Sequence, residues 1–167
     1  AKQLEEIYRD NPTVNIQNSA VWINNEVKKF HLSEEYTDGS SLLNSLNNLR
    51  DDHYLSIPCF DLSSWIKETF TNDDYLILKL DIEGAEYEVL NKMIEDNTIK
   101  MIKEFWGEWH DMKISDKKTL EISKKVYKYL EDNKIEFKEW EIHIPTQGKS
   151  HSQLAFRPNN LIDLDNE

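Results

Sequence analysis

The stretch that decides the fold runs from Tyr75 to Leu90 and reads YLILKLDIEGAEYEVL. Its first six residues form a nearly continuous apolar run, which is typical of a strand buried on both faces of a parallel sheet. Gly84 permits a tight turn. From Ala85 to residue 94, apolar residues then recur at helical spacing. The stretch therefore predicts a β-strand, a turn and an α-helix.

The segments on the C-terminal side extend this alternation. We predict a strand over 99–110, a helix over about 116–133, and two alternating segments over 135–144 and 152–156 that form an antiparallel hairpin. Strand and helix in this order imply a parallel sheet with helices on its faces, closed at one edge by the hairpin.

The N-terminal half is patterned less regularly. Asn24-Asn25 is a good turn pair, which joins two extended stretches into a predicted hairpin. Asp61 is a plausible N-cap for the helix that follows it. The predicted elements are a helix over 2–10, strands over 14–23 and 27–33, a polar loop over 34–54, and a short strand over 55–59.

Composition restricts the class of protein. The chain has 167 residues, enough for one domain, and contains no run of about 18 apolar residues that would span a bilayer. A net charge of −12 argues against a nucleic acid partner, because such binding depends on Lys and Arg. Cys59 is the single cysteine, which excludes a disulfide framework and favours a reducing compartment. We expect a cytoplasmic protein with no membrane contact.

Charged residues follow the predicted strands, where open α/β sheets bind their ligands. Asp81 ends one strand, and Glu108 with His110 ends the next. Strand alternation places Lys79 on the same face as Asp81, and Glu108 on the same face as His110. The four side chains are thus predicted to surround one crevice, where they supply a general base for a hydroxyl or ligands for a divalent metal.

Simpler interpretations stand beside this one. Asp81 either caps the next helix or faces a ligand, and Lys79 either extends along the surface or pairs with a glutamate. The glutamates at 83, 86 and 88 are interpreted as acids favoured near a helix start by its dipole. For the metal, we favour a site without one, because hard cations usually recruit more oxygen ligands than this set offers.

Residues 79–90 resemble the hallmark segment of FkbM-type methyltransferases, K-[IL]-D-[VI]-E-G-A-E-x-x-[VA]-L, and match it throughout. Other segments are similar to further parts of that family: 18–21 (NSAV), 57–66 (IPCFDLSSWI), 108–110 (EWH) and 152–158 (SQLAFRP). The resemblance implies a class I (Rossmann-like) fold and S-adenosylmethionine-dependent O-methylation of a sugar, glycan or small-metabolite hydroxyl. It also implies that Ser19 and Ala20 border the adenine, and that Asp81 lies near the methionine end of the cofactor and the acceptor.

The chain departs from the family at its start. The family's first two strands, with a glycine-rich loop and a ribose-binding acid, have no counterpart here, and the four glycines include no G-x-G pair. We therefore expect residues 1–167 to be one methyltransferase-like domain truncated at its N-terminus, with its sheet split between 14–23 and 75–80, and the rest of a longer polypeptide upstream of Ala1. The alternative is a cofactor-free module that binds or scaffolds a partner.

Overall fold

A computed structural model of the chain describes residues 1–33, 39–43, 49–111 and 114–139. A 3-10 turn over Thr98–Met101 precedes the fifth strand. The described helices and strands follow one another in the order α1 (Lys2–Ile7), β1 (Ala20–Trp22), β2 (Glu26–Ser33), β3 (Leu49–Asp61), α2 (Leu62–Thr69), β4 (Leu76–Leu80), α3 (Glu86–Glu95), β5 (Ile102–Gly107), α4 (Lys117–Asp132) and β6 (Phe137–Glu139). From β3 onward, strands and helices alternate.

The described strands form two three-stranded sheets, with the orders β1-β3-β2 and β4-β5-β6. In the second sheet all pairs are parallel, as the strand and helix alternation predicts. In the first sheet β3 is central, parallel to β1 and antiparallel to β2. The predicted α/β class is thus confirmed.

The predicted hairpin between 14–23 and 27–33 is wrong, because β1 and β2 lie on opposite edges of β3. Trp22 is the register partner of Asp61 on one edge, and Glu26 pairs with Cys59 on the other. Between them the side chain of Asn25 accepts a hydrogen bond of 2.9 Å from the backbone nitrogen of Asp61. The turn therefore carries the chain across the end of β3 instead of back along β1.

The core of the second sheet lies on the face covered by α2, α3 and α4. Its buried members include Ile66, Leu80, Leu90, Phe105 and Val126. On the other face of β4, the side chain of Ile77 is 60% exposed, and no described helix covers it. The prediction of a strand buried on both faces is therefore wrong: β4 alternates between buried and exposed positions.

The boundaries of several predicted elements change. The strand expected over 99–110 is only β5, preceded by the 3-10 turn, and the strand over 14–23 contracts to β1. The helix starts are confirmed: Asp61 accepts a hydrogen bond from the backbone nitrogen of Ser64, and Asp116 from that of Thr119.

Residues 140–167, which contain the rest of the predicted C-terminal hairpin, lie outside the described residues. Among the helices that the structure describes, none has the length and apolar character needed to cross a bilayer.

Candidate active site

The carboxyl ends of β4 and β5 form the base of the candidate site. Leu80 and Gly107 are register partners at the ends of these parallel strands, so Asp81 and Glu108 leave the sheet side by side. One ligand atom from each of Asp81, Glu108 and His110 lies within 4.8 Å of the other two. The structure thus brings together three of the four residues that the sequence predicted around one crevice.

Asp81 lies at the exposed side of the site. Its Oδ2 is 3.3 Å from Nζ of Lys79, so these two residues form an ion pair on the outer face of β4. Helix α3 begins only at Glu86, with Ala85 at its N-cap position and no capping side chain. The interpretation of Asp81 as a helix cap is therefore wrong, and its carboxylate is available to face a ligand.

Glu86 is the residue whose importance sequence reasoning missed. Its side chain is fully buried, and its carboxylate accepts hydrogen bonds of 2.8 Å from the backbone nitrogens of Ile82 and Gly84. The same carboxylate lies 3.0 Å from Nδ1 of His110. The sequence predicted only a favourable interaction of Glu86 with the dipole of α3. In the structure, Glu86 also binds the backbone of the turn that precedes this helix.

The turn between β4 and α3 has an uncommon backbone that makes this contact possible. Glu83 and Gly84 both have positive φ angles, 52° and 92°, a region that glycine enters freely and glutamate rarely. The carbonyl of Glu83 accepts a hydrogen bond of 2.6 Å from Oγ of Ser41, which stabilises this conformation from outside the turn. The bend directs the two backbone N–H groups of the turn at Glu86.

His110 is surrounded by acidic groups. On the side opposite Glu86, its Nε2 lies 3.5 Å from Oε2 of Glu83 and 3.8 Å from Oε1 of Glu108. The imidazole is buried, whereas the side chain of Glu108 is 57% exposed.

Glu108 and His110 both follow the end of β5, so the prediction that they share one face of a strand is wrong. Four carboxylates, those of Asp81, Glu83, Glu86 and Glu108, thus give the site a negative potential that attracts positive charge.

An aromatic cluster supports the segment that carries His110. Both oxygens of Asp111 accept phenolic hydrogen bonds, of 2.5 Å from Tyr87 and 2.6 Å from Tyr127. The ring of Trp109 stacks on Tyr87 with centroids 5.5 Å apart. Burial, together with the neighbouring groups, raises the pKa of Tyr87 and the pKa of Tyr127 far above their usual range. Both phenols therefore stay protonated and donate to Asp111. No local sequence pattern predicts this contact.

Ser19 and Ala20 lie at the start of β1. Ala20 packs against a small buried cluster that includes Ala85 at the N-cap of α3, so β1 reaches the same turn as the acidic site. Oγ of Ser19 is buried, and no described residue provides it with a hydrogen-bond partner. Because an unsatisfied buried hydroxyl is costly, this atom fits a contact with a polar group of a ligand.

These features define an α/β domain whose charged groups collect beyond the carboxyl ends of parallel strands, the usual location of ligand sites in such sheets. The family model described as the methyltransferase FkbM domain matches residues 3–139, which include every described element from β1 to β6 and all of α1 except Lys2. The chain belongs to the FkbM methyltransferase family and is a methyltransferase domain. No curated protein and no solved structure matches the chain. Residues 152–158 lie beyond the matched range.

Proposed function

We propose that the protein is an S-adenosylmethionine-dependent O-methyltransferase that acts on a hydroxyl of a sugar, a glycan or a small metabolite. The observation that carries the proposal is the convergence of Asp81, Glu108 and His110 within 4.8 Å, beyond the ends of two parallel strands of a methyltransferase domain. A carboxylate and an imidazole so placed are the groups that remove a proton from an attacking hydroxyl.

The chemistry demands little of the protein beyond position. S-adenosylmethionine supplies a methyl group that its sulfonium already activates, so in-line placement of the acceptor oxygen provides much of the rate. His110 is the better-fixed base, since Glu86 holds its Nδ1 and leaves Nε2 facing the site. Asp81 is the alternative base, held by Lys79 at the exposed rim. Glu108, whose Oε1 lies 3.8 Å from Nε2 of His110, is assigned to hydrogen-bond the acceptor hydroxyl.

On this chain, Ser19, Ala20 and Asp81 are the residues assigned to the cofactor. The unsatisfied hydroxyl of Ser19 supports this assignment. The sequence has no G-x-G pair to approach the nucleoside closely, so the glycine-rich loop and the ribose-binding acid are assigned to the rest of a longer polypeptide upstream of Ala1. The proposal treats residues 1–167 as one domain and its partners as a small molecule or glycan, with no nucleic acid and no membrane.

The proposed location is the cytoplasm. Cys59 is free and buried, and burial raises the pKa of its thiol, which keeps it protonated and unreactive. A protein with this single thiol gains no stability from an oxidising compartment.

A methyl-transfer assay on the complete protein, with a panel of acceptor hydroxyls, tests the proposal. Asp81→Asn keeps the shape of the side chain and removes its charge, so turnover is expected to fall by about 10²-fold or more. His110→Ala is expected to impair acceptor turnover while cofactor affinity stays near that of the wild type. Asp132→Asn, which removes an exposed carboxylate at the end of α4, is the control. Turnover that survives both site substitutions would refute the assignment.

Metal dependence is tested in the same assay. The proposal is a metal-free reaction, because the three candidate ligands Asp81, Glu108 and His110 offer fewer oxygens than hard cations usually take. Treatment with EDTA should therefore leave turnover unchanged. Activity that EDTA abolishes and added magnesium or manganese restores would overturn this part of the proposal.

The lack of a glycine-rich loop favours a second candidate, a cofactor-free module that binds or scaffolds a partner. The intact hallmark segment argues against a cofactor-free module. Asp81 and Glu86 are both present, and Glu86 contacts the backbone of Ile82 and the ring of His110. Absence of both cofactor binding and methyl transfer in the complete protein would favour the module.

A further inference from the structure

Two neighbouring residues of α3 contact two neighbouring residues that follow β5. Glu86 lies 3.0 Å from Nδ1 of His110, and the hydroxyl of Tyr87 donates to Asp111 over 2.5 Å. Both helix side chains are completely buried. The first turn of α3 therefore holds the segment that carries the imidazole at two consecutive positions.

We propose that Glu86 is a positioning residue that holds His110 in its Nδ1–H tautomer, so that Nε2 presents a lone pair to the acceptor side of the site. Tyr87 supports this arrangement by anchoring Asp111. The catalytic meaning of the inference rests on the proposed function, in which His110 accepts a proton, whereas the tautomer itself is a property of the folded chain.

The hydrogen bonds of Glu86 determine the direction of its contact with His110. Its two oxygens already accept the backbone N–H groups of Ile82 and Gly84. An ionised carboxylate only accepts hydrogen bonds, so a favourable contact with the ring requires a proton on Nδ1. Glu83 and Glu108 face the other nitrogen, but their oxygens lie 3.5 Å and 3.8 Å from Nε2, whereas Glu86 lies 3.0 Å from Nδ1. The shorter contact places the proton of the neutral ring on Nδ1, so Nε2 carries the lone pair.

Asp111 anchors the backbone next to His110. Its two carboxylate oxygens are bound by Tyr87 from α3 and by Tyr127 from α4. Trp109, on the other side of His110 in sequence, packs against Tyr87, Tyr127 and Phe137. The residues before and after His110 are thus both held by side-chain contacts, which fix the backbone position from which the imidazole reaches Glu86.

Nitrogen NMR of the histidine rings tests the tautomer directly. The protein is labelled with ¹⁵N-histidine and observed at a pH high enough for the ring to be neutral, and His110→Asn identifies the signal of His110. We expect that signal to show a protonated Nδ1 and an unprotonated Nε2. Glu86→Ala removes the acceptor, so the population protonated at Nε2 should rise. Glu88→Ala, which removes a glutamate two residues further along α3, should leave the tautomer unchanged.

A wild-type His110 protonated mainly at Nε2 would overturn the proposal, as would a tautomer that Glu86→Ala does not alter. If Glu86→Ala does not fold, thermal unfolding of two other variants replaces it. An asparagine amide lies near the place of Nδ1 and a glutamine amide near that of Nε2, so His110→Asn should unfold at a higher temperature than His110→Gln. The reverse order would contradict the proposal.

None of these measurements uses cofactor or acceptor, so the tautomer and the methyl transfer can fail independently. Where the complete protein turns over, Glu86→Ala should lower kcat by about 10²-fold with little change in the KM of the acceptor, because the base is misplaced and not removed from the binding site. A purely structural Glu86 would lower stability and leave the ring tautomer unaffected.

Discussion

Gly107 lies where β5 passes closest to β4, and replacing it with alanine tests the geometry on which the site depends. A Cβ atom at this position would lie 2.0 Å from the carbonyl oxygen of Leu80 and 2.6 Å from Cζ of Phe137. The phenylalanine ring can move, but the carbonyl belongs to the backbone of the neighbouring strand. Gly107→Ala must therefore separate the ends of β4 and β5.

The magnitude follows from what this separation breaks. Extra atoms in a packed core cost about 1–3 kcal/mol, and the backbone nitrogen of Glu108 also loses its 3.1 Å hydrogen bond to Leu80, which is worth about 1 kcal/mol. We expect the free energy of unfolding to fall by about 2–4 kcal/mol. Urea unfolding followed by circular dichroism measures it, with Lys103→Ala at an exposed position of the same strand as the control.

The control should remain within about 0.5 kcal/mol of the wild type. If Gly107→Ala is as stable as the control, β4 and β5 do not approach as described. The side-by-side placement of Asp81 and Glu108 would then lose its basis.

Three further predictions concern the site and its supports. Tyr127→Phe deprives Asp111 of one of its two phenolic donors and should cost about 1–3 kcal/mol in urea unfolding; a loss below about 0.5 kcal/mol would mean that Tyr87 alone satisfies the carboxylate. Asp61→Ala removes the cap of α2, a 3.0 Å hydrogen bond to the backbone of Ser64, and should lower the free energy of unfolding by about 1 kcal/mol. Calorimetric titration of the 167-residue chain with S-adenosylmethionine should show no heat of binding, because the sequence has no glycine-rich cradle; micromolar affinity would contradict this expectation.

The sequence alone determined the features that depend on neighbours along the chain. The run from residue 75 to 94 predicted β4, its turn and α3, since strand and helix periods are read directly from local spacing. Asp61 predicted the start of α2, because an N-cap side chain bonds a backbone nitrogen only three residues away. The location of ligand sites at the carboxyl ends of parallel strands predicted that Asp81, Glu108 and His110 lie close together, and their ligand atoms lie within 4.8 Å of one another.

Only the tertiary structure decided the features that depend on distant partners. β1 and β2 pair with β3, and the turn between them contacts its end through Asn25 and Asp61, which are 36 positions apart. Ile77 is exposed although its sequence context is apolar, since burial is set by what packs against a strand and not by the strand itself. Glu86 looks like any acid at a helix start, and only the approach of His110, 24 residues away, makes it a buried partner of the imidazole. Local spacing carries no information on such a contact, because it forms only when separate elements pack together.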